Sequence, residues 1–187
     1  MTMRVSRING PVLTVLATIF LTGATVAPGE EGPLKDILPP EPGTQICFAR
    51  SYDAAHLAKH PKQKVTDIKF HLAYYRHDPD EGYPQGQRNY YFALLAKRRG
   101  ETQFATAFGE CSVWEGKITC GVDCDGGGVN IEKSGEGLGI SFGNYWGISL
   151  TNECGSGDVA APALEPGEDD KEFRLTRSDD CPKYEDW

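Results

Sequence analysis

Past its opening residues the chain lacks any long apolar run, and before Glu30 it lacks acidic residues altogether. The two absences belong together. Arg4 and Arg7 precede an apolar stretch over 11–26, and small residues at Gly23, Ala24 and Ala27 close it. About 16 apolar residues are too few for a spanning helix, which takes about 20. A charged start before such a run is the layout of a secretory signal peptide. Residues 1–27 are therefore predicted to be a signal peptide, removed on export to the periplasm or the extracellular space. What remains has no transmembrane span and roughly 160 residues, the size of one domain.

Catalytic and cofactor signatures are missing too. No serine sits in a GxSxG elbow, and no GxGxxG lies between a strand and a helix. The glycine run 126–128 has no following helix to present amides to a phosphate. No Cys-x2-Cys pair marks zinc; the nearest spacing is Cys120-x3-Cys124, without a matching second pair. No cofactor is expected. Basic residues fall short of acidic ones, 19 against 27, for a formal charge of −8. Loss of the two leader arginines makes the mature chain more acidic still, so nucleic acid and anionic lipid should repel it.

What the chain does have is an even set of six cysteines, all beyond the leader: Cys47, Cys111, Cys120, Cys124, Cys154 and Cys181. In an exported chain this reads as a disulfide framework. One pairing follows from register. If Glu115-Gly116 is a two-residue hairpin turn, Val113 faces Ile118 and Cys111 faces Cys120 at a non-hydrogen-bonded pair. There the Cα atoms lie about 4.5 Å apart, within disulfide reach. For the other four the pairing stays open. Cys181 reaching Cys124, with Cys47 left for Cys154, is the arrangement the order of strands suggests.

Organisation follows from composition and period. Residues 28–46 carry five prolines among glycines and acids and read as a flexible Pro-rich arm. Residues 51–59 read as one short helix, with Ser51 as N-cap and Pro61 ending it. Then the period changes to two. Ile68, Phe70, Leu72 and Tyr74 mark a strand with one buried face. Residues 88–97 are apolar on both faces, and 102–114 set Phe104 and Phe108 against small Ala105, Ala107 and Gly109. Beyond Cys111, four hairpins can be registered with one buried face, pairing Val122 with Ile131, Ile131 with Ile140 and Ile140 with Ile148. Phe173 and Leu175 mark a last strand. The fold class is thus mainly β: an antiparallel meander closing into a small up-and-down barrel, with a β-sandwich as the alternative and one short helix. Residues 47–187 form the disulfide-stabilised β-domain.

Three clusters of polar residues invite a functional reading. His77, Asp78, Asp80 and Tyr83 crowd the loop between two strands and are the candidate ligand-binding set, although Asp-Pro and Tyr-Pro steps also shape plain turns. His56 and His60, four apart on the short helix with Asp53 one turn earlier, could ligate zinc. The intervening Leu57-Ala58-Lys59 lacks the glutamate of HExxH. Residues 123–134 look like a calcium loop but have Gly127 and Ser134 where ligands belong. In architecture alone the chain resembles lipocalin-like carriers and small barrel protease inhibitors, whose motifs it does not carry. With no nucleophile, the leading expectation is a non-catalytic envelope or secreted binding protein. Its ligand would be a small apolar molecule if the barrel is hollow, or a protein if it is filled. The alternatives are an inhibitor of a secreted or envelope enzyme, and a hydrolase or metal enzyme using His56 and His60.

Overall fold

A computed structural model describes residues 32–84, 86–151 and 162–183; the expected signal peptide and Cys154 lie outside them. Strands β1 (Gln45–Ser51), β2 (Val65–Arg76), β3 (Arg88–Arg98), β4 (Ala105–Trp114), β5 (Lys117–Gly121), β6 (Gly128–Ser134) and β7 (Gly137–Ser141) are sequential antiparallel neighbours. Two short strands, β8 (Ile148–Ser149) and β9 (Ala163–Leu164), pair with each other apart from this sheet. β10 (Glu172–Ser178) then enters between β7 and β1 and closes an eight-stranded barrel. Closure leaves no barrel edge exposed, and it decides for a barrel over a sandwich.

Alternation puts one side chain in two inside. From β2 and β3 come Ile68, Phe70, Leu72, Phe92 and Leu94, none with any exposed surface. Phe70 and Phe92 stack with ring centres 5.6 Å apart. The small residues of β4 leave room for these rings: a Cβ on Gly109 would sit 3.0 Å from Phe92 Cε1. Ile118, Ile131, Ile140 and Phe173 then form a row across β5, β6, β7 and β10. Both ends are covered. At one end a 3-10 helix, η1 (Gly32–Asp36), leads into Ile37 and Leu38; Leu34, Ile37 and Leu38 are buried. Tyr90 donates its hydroxyl proton to Leu38 O at 3.0 Å. At the other end Ile148, Leu150 and Leu164 are buried beside the barrel strands.

Several expectations are corrected. The arm predicted as flexible over 28–46 is not so from Gly32 on. Its prolines restrict φ without preventing burial, and Leu34, Ile37 and Leu38 share one face at spacings of three and four. Ser51 ends β1, with its hydroxyl on Asp67, and does not cap the helix. Asp53 caps α1 (Ala54–Lys59), accepting from His56 N at 2.7 Å. Ile118, not Val122, faces Ile131, and Gly121 faces Gly128. The turn between them is longer because Cys124 and Asp125 take left-handed φ of 59° and 60°. The glycines after them serve a close approach: a Cβ on Gly127 would lie 2.1 Å from Gly147 O. After β7 the chain turns, with Tyr145 N donating to Phe142 O, but no hairpin follows, because β8 pairs with β9. Ile148 does not pair with Ile140, however, because Phe173 of β10 takes that place.

Cys111 and Cys120 face each other across β4 and β5 and are bonded, with Cα atoms 4.0 Å apart. The suggested Cys124–Cys181 pairing is wrong. β10 closes on β1, setting Ser178 opposite Cys47, so Cys181 bonds Cys47, Cα to Cα 5.9 Å. Cys124 is also in a disulfide. Among the described residues no helix is long and apolar enough to cross a membrane.

Candidate functional site

The loop between β2 and β3 carries the four residues singled out from the sequence. His77 ties it down: Nε2 lies 2.6 Å from the Tyr91 hydroxyl, and the ring meets Tyr75 edge-on at 4.8 Å. Asn89 donates one amide proton to Tyr91 and another to Glu110 Oε1, at 3.2 and 2.9 Å. Asp80 spends its carboxylate within the turn, accepting from Tyr83 N at 2.7 Å, the Asx-turn use of aspartate. Asp78, Asp80 and Tyr83 all face solvent, Tyr83 with 52% of its surface exposed. The four residues thus make an anchored, protruding loop with an exposed tyrosine. Tyr91, Asn89 and Glu110 complete its footing, and nothing in the aromatic-rich strand pattern distinguished them.

The helix histidines are engaged otherwise. His56 Nε2 is 3.0 Å from Gln63 Oε1, and its ring lies between those of Tyr52 and His60, at 4.7 and 4.4 Å. His60 Nδ1 is 3.8 Å from Asp169 Oδ1. Asp53, which could have completed a metal site, is the helix cap. Among the described residues no group of three or more His, Cys, Asp or Glu is placed to hold a metal ion. Arg99 donates to the carbonyls of Leu57, His60 and Gln63, an arrangement that secures the helix C-terminus. Nearby Asp170 is fully buried and accepts from Lys64 N at 2.6 Å and Val65 N at 3.3 Å. Burial pushes its carboxyl above the usual aspartate range. These contacts lock one end of the barrel.

A different place has the shape of a binding site. On the outer wall of β5, β6, β7 and β10 runs a groove of about 570 Å³, within the range of ligand sites. Its floor is β7, whose outward positions are Gly137, Gly139 and Ser141. Its sides carry Lys117, Asn130, Glu132, Glu172 and Arg174, and Pro33 and Asp36 close one end. Two side chains lean over the floor. A Cβ on Gly139 would lie 3.0 Å from Glu132 Cγ, and one on Gly143 2.0 Å from Asn130 Nδ2. Sequence reasoning missed this groove, although alternate small residues on the polar face of 137–141 were its visible trace.

The chain matches no protein-family model, no curated protein and no solved structure. Fold and site geometry are therefore what any functional reading stands on.

Proposed function

We propose that the protein is an exported, non-catalytic binding protein that works with the outside of its barrel. The observation that carries this reading is the filled interior. Phe70, Phe92, Leu94 and Ala107 have no exposed surface, so not even one water fits beside them, and both barrel ends are covered. The small apolar guest expected for a hollow barrel therefore has no place there, and binding falls to the groove and the anchored loop. The disulfides Cys47–Cys181 and Cys111–Cys120 are compatible with an oxidising compartment outside the cytoplasm. A rigid scaffold reduces the ordering cost of binding.

One observation favours the inhibitor alternative: Tyr83 protrudes from a loop held by the His77–Tyr91 contact. Native pull-down with the full chain from the source envelope, followed by mass spectrometry of protein and small-molecule fractions, tests both readings. A partner lost on Ser141→Trp supports the groove, and a captured protease lost on Tyr83→Ala supports the inhibitor. A guest that survives both substitutions and leaves only on unfolding would overturn outward binding.

A further inference from the structure

We infer that the groove over β7 binds a neutral oligosaccharide, a ligand class that rests on the outward-binding reading above. The first observation is its charge balance. Lys117, Lys133 and Arg174 face Asp36, Glu132 and Glu172 around the groove, a local balance in a chain of formal charge −8. Such a lining neither attracts a polyanion nor selects a cation. It suits a neutral partner that both donates and accepts hydrogen bonds, as sugar hydroxyls do.

The second observation is that four of these charges are not spent on one another, while Lys133 donates to the Asp36 carbonyl at 2.8 Å. One step on from the Ile118↔Ile131 pair, Lys117 adjoins Glu132; Glu132 faces Gly139, and Gly139 faces Arg174. Opposite charges thus stand in one row, yet Lys117, Glu132, Glu172 and Arg174 make no ion pair among the described residues. Their planar or forked polar ends remain available to adjacent hydroxyls. Glu132 lies across the glycine between it and Arg174, which holds its carboxylate at the middle of the row.

The third observation is Trp114. It pairs with Lys117 at the hairpin end of β4 and keeps 71% of its surface exposed. An exposed indole offers the apolar plate on which the C–H face of a sugar ring stacks, with the polar row supplying the hydrogen bonds. From Trp114 to Arg174 the row crosses four inter-strand steps, about 19 Å, the length of a short oligosaccharide.

Calorimetric titration of the full chain with cellotetraose, maltotetraose, mannotetraose and chitotetraose, one at a time, tests this. At least one should bind saturably, and its affinity should fall about tenfold or more in Trp114→Ala and in Ser141→Trp, each checked for a native circular-dichroism spectrum. Trp146→Ala, at another solvent-facing indole that is not part of the groove's lining, should leave affinity unchanged. No binding by any of the four, or binding untouched by both groove variants, overturns the saccharide assignment. The broader reading fails separately, through the pull-down: a protein partner captured there while the sugars stay silent removes the ligand class and leaves outward binding standing.

Discussion

His71 points outward from β2 yet is only 3% exposed, flanked by Cys47 of β1 and Ala93 of β3. Burial lowers its pKa from 6.5 to about 4. The unfolded chain therefore binds the extra proton between those values, and stability should rise with pH from about 4 to 6.5 and be lost on acidification through that window. The linked amount is at most about 3 kcal/mol. Urea melts at pH 4.5 and 7 should show the difference in the wild type and a smaller one in His71→Leu. Asp170 has the opposite sign: its raised carboxyl favours the protonated native state, so its contribution weakens as pH climbs past the normal aspartate range. Its main role is to hold the amides of Lys64 and Val65. Asp170→Ala should cost about 2–3 kcal/mol in chemical denaturation, because two amides lose their acceptor.

At the level of elements, the tight hairpin was legible and the crowded turns were not. Glu115-Gly116 sat between alternating apolar residues, and register followed from it; both residues have positive φ, 51° and 77°, as the two-residue turn requires. Glutamate is poorly suited there, so Glu115→Asn should stabilise the protein by about 0.5–1 kcal/mol, seen as a higher melting temperature. The 122–127 turn misled because its glycines serve a neighbour: Gly127 and Gly128 admit the backbone and ring of 145–147, a contact remote in sequence. Ile148 misled for a related reason. Its apolar pattern shows that it is buried but not which edge it meets, and β10 occupies the edge of β7. The groove stayed hidden because outward small residues look like an ordinary solvated face until four strands place Lys117, Glu132, Gly139 and Arg174 in one row.

For the whole molecule, closure rests on a short seam. β1 and β10 share three residue pairs, whereas β1 and β2 share seven. The Cys47–Cys181 disulfide staples that seam and spans 134 residues, against 9 for Cys111–Cys120. Loop entropy scales with the logarithm of that separation, giving about 5 and about 3 kcal/mol respectively. The double substitution Cys47→Ala, Cys181→Ala should therefore destabilise more than Cys111→Ala, Cys120→Ala, as equilibrium denaturation under non-reducing conditions would show. Equal losses would mean that the seam holds without its staple.

The proposed outward binding rests on barrel closure, capped ends and a filled interior. The most direct measurement is a backbone-amide chemical-shift map of the isotopically labelled protein, recorded as the small-molecule fraction of a source-cell extract is added. Shifts should gather at Lys117, Asn130, Glu132, Gly139, Ser141 and Arg174, with the inward strand residues unmoved. Shifts centred instead on Phe70, Phe92, Leu94 and Ala107 would mean that the barrel opens to take a guest inside, and would contradict binding on its outer surface.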